Sequence, residues 1–342
     1  MQHILISGAG GYIGTRMVET FLSKGYRIRA VDRFFFGATL DLYKNHPLLE
    51  IIRADTRSLS TDYFDHIDLV IDLSGISNDP AADLIPKLSF AINKDAPLDM
   101  AYKARDRGVR GFIFSSSCSV YGDGNGNKLD ENSPLKPVST YARTKVEAEK
   151  LLLDLNTDIF HTTILRNATV YGLSPQRMRF DLIINIMTLN AWKNNKIYVM
   201  GGGDQWRPLI HIDDLIHFYH LVAMATRDKV KGQIFNVGFD DQNFQVLEIA
   251  YKFKSFFDRL EIEIIPDDPD LRDYRVSFSK IHHAFGYLPT KNIADGIAEI
   301  KTALQNGIVK ETITSRTVQY YKYLLEADKL ITSLKLNGHL LE

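Results

Sequence analysis

The chain has 342 residues, 45% of them hydrophobic, with 41 Lys plus Arg against 42 Asp plus Glu. That length can bury a substantial core, in one large domain or two unequal ones, while the charge balance supplies no overall field to recruit nucleic acid or an anionic membrane. A single cysteine, Cys118, excludes an internal disulfide or a thiolate zinc cluster; with no leader and no membrane-length apolar run, the expectation is a cytoplasmic protein.

In chain order, the run His3-Ile4-Leu5-Ile6 predicts a strand, and the stretch SGAGGYIG, 7–14, then places four glycines in seven positions. Ile13, Met17 and Phe21 recur every four residues on one helical face, and Gly25 follows Lys24 where a helix end takes a left-handed residue. Further strands are predicted at 27–32, 49–54, 69–73, 111–115 and 160–165, with helices over 84–107 and 139–155. Pro97 is expected to kink the first of these helices or split it. Alternating strands and helices imply an α/β, Rossmann-type doubly wound parallel sheet. After Gly172 come a helix near 181–193, the loop Gly201-Gly202-Gly203, a helix after Asp213 and a strand at 233–237 that returns to the first sheet. The expected division is therefore interleaved. Residues 1–172 with about 211–238 form a dinucleotide-binding domain, and 173–210 with 239–342 form a smaller α/β C-terminal substrate lobe.

A glycine-rich turn between strand and helix lets a diphosphate approach the main chain, where helix N-terminal amides favour negative charge. The spacing Gly8-x-x-Gly11-x-x-Gly14 is one residue longer than the common fingerprint. Asp32, ending the second strand, stands where a carboxylate accepts bonds from both adenosine ribose hydroxyls; a helix-capping aspartate is the alternative. Its charge repels a 2′-phosphate and favours NAD over NADP, while the adjacent Arg33 keeps NADP open.

Tyr141 and Lys145, in STYARTK, are one helical turn apart, so both project from one face. A nearby ammonium stabilises a phenolate, which can then act as a base near neutral pH. The strip FIFSSSCSVYG ends a strand in Ser115-Ser116-Ser117 at the carboxyl edge of the sheet, where such folds bind ligands.

Together these motifs resemble the extended short-chain dehydrogenase/reductases, and within them the NAD-dependent nucleotide-sugar epimerases and dehydratases, from about Ile4 to Leu304. The resemblance implies Gly8, Gly11 and Gly14, with Tyr12 and Ile13 between them, as the dinucleotide loop, and Asp32 with Arg33 at the ribose. It also places Asp55 and Thr56 beside adenine, and Leu73, Ser74, Gly75, Asn93 and Ser115 along the cofactor. Ser117, Tyr141 and Lys145 resemble the catalytic set. Counting back from Val120-Tyr121-Gly122 selects Ser117, with Ser116 the second choice.

The same strip separates relatives. Dehydratases of the family carry an Asp-Glu pair after the catalytic hydroxyl, and the decarboxylases a glutamate; here Cys118 and Ser119 stand instead. SSSCSVYG is most similar to the 4-epimerase strip SSSATVYG, with Cys118 expected to line the pocket without acting as a nucleophile. For a nucleotide sugar, the resemblance implies Arg207 of GGGDQWRPLIHIDDL, Arg272 and Tyr274 of DPDLRDYRVSFSK, and Arg177 and Arg179 of SPQRMRFDLIIN as contacts. A solvated loop is the alternative for the last two. Trp206 stacks on a ring or plugs the lobe interface, the interface being preferred. Thr169 occupies the family's asparagine position, with Asn167 nearby. The segments LSGISNDP, RMRFD and DPDLRDYRV resemble more closely a branch that includes GDP-sugar C-4 oxidoreductases of surface-polysaccharide pathways.

The expected function is an NAD-dependent nucleotide-sugar epimerase acting at C-4 through a 4-keto sugar. A net C-4 dehydrogenase or reductase is the alternative, and a non-catalytic dinucleotide sensor a further one, although sensors of this kind lose the tyrosine or lysine. The resemblance also implies a homodimer through the helices 93–107 and 141–155. No histidine spacing, His282-His283 included, suggests a metal site. The tail, 311–342, reads as a helix packed on the small lobe.

Overall fold

The computed structural model describes residues 2–266, 272–336 and 338–340. The first half of the chain forms β1 (His3–Ser7), β2 (Arg27–Asp32), β3 (Leu49–Arg53), β4 (Leu69–Asp72), β5 (Gly111–Ser117), β6 (Asp123–Leu129) and β7 (His161–Asn167). The second half adds β8 (Thr169–Tyr171), β9 (Lys196–Met200), β10 (Trp206–His211), β11 (Ile234–Val237), β12 (Asn243–Gln245), β13 (Glu261–Ile265) and β14 (Asp273–Val276).

Seven strands make one parallel sheet in the order β11-β7-β5-β4-β1-β2-β3. The order reverses between β1 and β4, which opens a crevice at the carboxyl ends of those strands. Strand alternation sorts side chains to two faces. Ile4, Ile6, Ile71 and Ile113 pack with Met17, Val18 and Phe21 of the first helix, whereas Leu5, Val70, Phe112 and Phe114 pack with Met100, Ala148 and Leu152. A third cluster, built around Ile184, Val199, Leu209 and Ile249, fills the smaller sheets.

The strand at 233–237 joins the central sheet beside β7, as its pattern implies. Two predicted strands extend further than apolar residues alone indicate: β5 runs to Ser117 and β7 to Asn167, because their polar ends keep pairing with each other. Just ahead of Pro97 the helix changes to a wider turn. The run is Pro86–Phe90, one wider turn at Ala91–Asp95, then Ala96–Asp106. The wide turn accommodates a ring that would otherwise press on the carbonyl one turn back.

Two segments reach across the expected division. β6, inside the first 172 residues, pairs with β14. The tail helix, Thr317–Leu334, meets the small lobe at Arg177 through Thr317 and also sets Val318 and Tyr321 against Ile76, Ala81 and Ala82 beside Tyr141. The reason is the apolar pair at helical spacing, which covers apolar surface that the first half leaves open. Of the segment 268–280, residues 268–271 lie outside the described residues, as do 337 and 341–342 of the tail.

Candidate active site

The glycine turn packs backbone tightly against backbone. Gly8 has φ +71°, and a Cβ there would stand 2.7 Å from the Leu73 and Ser74 backbone. At Gly14 a Cβ would lie 2.2 Å from the Gly8 carbonyl oxygen, so the first helix can pack on the turn only without a side chain. Gly11 caps that helix with no side-chain acceptor, and no acidic residue stands in its first turn. Its first-turn amides thus take no side-chain cap, an arrangement suited to an anion. The side chain of Tyr12 is buried, its hydroxyl donating to the Gly172 carbonyl at 2.6 Å.

Asp32 accepts from the Gly10 amide at 3.0 Å and the Phe34 amide at 2.6 Å. Burial raises its carboxyl above the usual range, and these amides pull it back. Arg33 pairs with Asp55 at 2.9 Å and covers the Phe35 ring, and Arg57 holds the same Asp55 carboxylate at 2.5 Å. Hydrogen bonding from Arg57 depresses Asp55 to about 2. Thr56 follows it, buried.

Asp72, at the end of β4, went unnoticed in the sequence. Its Oδ1 accepts from Ser7 and Ser74 hydroxyls, both at 2.5 Å, and locks the two strand ends around the crevice. A carboxylate ending an otherwise apolar run, opposite the serine that starts the glycine turn, was the available signal. Leu73 and Gly75 flank Ser74 here, Gly75 at φ +156°. Asn93 is fully used by the protein: it accepts from the Ile76 amide at 2.8 Å and donates to the Ile76 carbonyl and to Thr144. It positions the 75–76 segment from below.

The helix Thr140–Leu153, capped by Ser139, brings Tyr141 and Lys145 to the end of β5. The Ser117 hydroxyl acts on the Tyr141 phenol and favours its ionised form. Lys145 donates to the Ser115 carbonyl at 2.7 Å and lies 5.9 Å from the Tyr141 ring centre. The neighbouring Ser116 points to the other face and donates to Glu149, itself buried against Arg166 at 2.7 Å. Register therefore separates the two serines. Ser115 accepts from Asn167, which also reaches the buried Tyr219.

Burial raises the Tyr141 phenol well above its ordinary value, Asp79 pushes it further up, and Arg179 pulls it down. Lys145, lowered by burial to about 8, is drawn back up by Asp72. Asp79 was missed by sequence reasoning; it accepts from Ser139 and pairs with Arg272 at 2.7 Å.

The five substrate-side basic and aromatic residues divide. Arg207 donates to the Arg272 carbonyl at 2.6 Å, and buried Tyr274 lies with them, its phenol pushed up to about 12 by burial. Arg177 and Arg179 gather elsewhere. They are buried rather than solvated: Arg179 is clamped by Asp181 at 2.9 Å, and Arg177 stacks 3.7 Å from the Phe36 ring centre with Asp32 acting on its charge. Thr169 is half-buried on β8. Trp206 is half-buried under the Arg275 guanidinium. Cys118 does not line the cleft, because its thiol is buried on the Arg166 carbonyl at 3.2 Å and burial pushes it up.

The sequence matches the model of the family described as "NAD dependent epimerase/dehydratase family" over residues 4–238. A dTDP-glucose 4,6-dehydratase from Streptomyces griseus is 25% identical, with 86% of this chain and 92% of that protein aligned. UDP-glucuronic acid decarboxylase 1 from Arabidopsis thaliana is also 25% identical, over 90% of this chain and 71% of that protein. Among solved structures, UDP-glucuronic acid 4-epimerase from Bacillus cereus superposes with TM-score 0.78 at 22% identity, covering 89% of this chain and 99% of that one. Three reactions thus share this fold, and the site has to choose among them. No helix among the described residues is long and apolar enough to cross a membrane.

Proposed function

Because the chain belongs to the NAD dependent epimerase/dehydratase family, we propose that it is a nucleotide-sugar 4-epimerase working through a transient 4-keto sugar. The observation that carries this reading is Lys145 lying 5.9 Å from the Tyr141 ring centre at the sheet edge, with the Ser117 hydroxyl acting on that phenol and two following positions without a carboxylate. Elimination of water across two carbons needs an acid and a base beyond the tyrosine. Cys118 and Ser119 are both buried there.

The cleft fits NAD. The uncapped first-turn amides beside Gly8, Gly11 and Gly14 would take the diphosphate, and Asp32 retains lone pairs for ribose hydroxyls. Arg33 is engaged by Asp55, which favours NAD over its 2′-phosphate form. When bound, NAD accepts a hydride from the sugar carbon and returns it. Tyr141 takes the C-4 hydroxyl proton and gives it back, Ser117 bridges that oxygen, and Lys145 holds ribose hydroxyls near the phenol. Arg179 supplies the strongest cationic pull on the phenol. Arg207 and Arg272, with Tyr274, would meet the sugar nucleotide's diphosphate and base.

Exposed Tyr102 and Leu151, on the helices Ala96–Asp106 and Thr140–Leu153, support a homodimer through those two helices. The test of the reaction is incubation with UDP-, GDP-, CDP- and dTDP-sugars without added cofactor, with chromatography and NADH absorbance. An isomer of one substrate without net NADH is expected; a keto sugar with stoichiometric NADH would replace the epimerase by a C-4 dehydrogenase.

A further inference from the structure

No role assigned above uses the tail helix, Thr317–Leu334, yet its first two turns lie across the cleft. The Tyr320 hydroxyl donates to the Phe35 carbonyl at 2.7 Å, and the Phe36 ring centre lies 5.6 and 5.8 Å from those of Tyr320 and Tyr321. Beneath Phe36, the Arg177 guanidinium stacks at 3.7 Å and donates to the Thr317 hydroxyl at 3.3 Å. On the opposite side, Val318 and Tyr321 enter the apolar cluster of Ile76, Ala81 and Ala82 that also holds Tyr141. The groups acting on the Tyr321 phenol are Arg179, Arg177, Asp32 and Asp181. One helix therefore touches the loop that follows Asp32 and the surroundings of Tyr141, the two ends of a dinucleotide laid along the glycine turn.

We propose that the tail helix is a clasp over the dinucleotide cleft, with Tyr321 and Phe36 as the positioning residues that hold it across bound NAD. The proposal rests on the reading that the cleft takes NAD. A ligand lying beneath these contacts leaves only after they open, so retention is set by the clasp as well as by the glycine turn. Such retention serves a reaction that returns the same hydride to the same sugar. The exposed second half of the helix, where Leu330 is 60% exposed, takes no part.

The experiment measures NADH dissociation by stopped-flow fluorescence, with excess NAD as competitor, for the unaltered protein and for Tyr321→Ala, Phe36→Ala and Leu330→Ser. Dissociation is expected to quicken about tenfold or more in the first two, the kinetic equivalent of ~1.4 kcal/mol, and to stay unchanged in Leu330→Ser. Hydrogen exchange on the unaltered protein needs no variant: NAD should protect amides over 318–323 and leave 329–334 as they were. Unchanged dissociation and unchanged exchange, with NADH bound, would overturn the clasp alone. Absence of NADH binding by the unaltered protein would overturn the cofactor reading and the clasp with it.

Discussion

The Lys145 ammonium is bonded to the Ser115 carbonyl at 2.7 Å and makes no salt bridge among the described residues. A buried cation held by a neutral acceptor is costly, and the cost appears as a lysine lowered to about 8. Below that pH both folded and unfolded chains carry the proton, and the folded state bears the full penalty. Between about 8 and the ordinary lysine value the unfolded chain binds more protons, so stability rises with pH. Urea titrations of the free protein and of Lys145→Met should therefore converge or cross as pH increases from 7 to 10. The unaltered protein should gain up to about 3 kcal/mol relative to the variant. A constant difference would mean that the lysine is not depressed.

Tyr141→Phe removes the proposed base and leaves the ring. Turnover should fall by about 10²–10⁴ while NAD still binds, and Ser117→Ala should lose on the order of 10². Single-turnover kinetics with matched NAD titrations separate chemistry from binding. Ser116→Ala should leave the chemical step intact, because that hydroxyl serves Glu149 on the other face.

Asp79 raises the Tyr141 phenol by its charge. In Asp79→Asn the phenol titrates lower, so the acid limb of the kcat profile should move to lower pH. Arg179→Met should move it the other way, because a cation that favours the phenolate is lost. Profiles taken with saturating substrate keep the partnership of Asp79 with Arg272 from confusing the result.

Glycines that look alike in the sequence should differ. Gly14→Ala would force a Cβ to 2.2 Å from the Gly8 carbonyl, against backbone that cannot yield, so dinucleotide binding should be lost and the fold destabilised. Gly25→Ala meets nothing within 4 Å, and its φ of +82° should cost only ~1–2 kcal/mol. Calorimetric NAD titration and thermal melts of the pair give both readouts.

The side chains of Glu149 and Arg166 are each 3% exposed, and Nε and Nη2 of the guanidinium both donate to the carboxylate. Glu149→Ala strands a buried cation and should cost about 3–5 kcal/mol. The double variant Glu149→Leu with Arg166→Met should recover much of it. Equilibrium unfolding of the single and double variants measures the difference.

The helix, strand and turn signals of the first half are local, and they predicted the parallel sheet nearly strand by strand. Hydrophobic period, the glycine spacing and Asp32 depend on neighbours a few residues away. The same holds for the pair Tyr141 and Lys145, one turn apart on one helix. Asp72 and Asp79 were not legible in that way, because each is defined by a partner far along the chain: Ser7 across a strand pair and Arg272 near the other end.

By itself, then, the sequence determined the sheet and the glycine turn and set Tyr141 and Lys145 on one helical face, since periodicity and backbone sterics are written over short spans. Tertiary structure decided that Ser116 serves Glu149, away from its neighbour Ser117, because strand register sends neighbouring side chains to opposite faces. It also divided the arginines and carried the tail helix to the cleft, because the apolar surface that attracts Val318 and Tyr321 exists only once distant segments have packed.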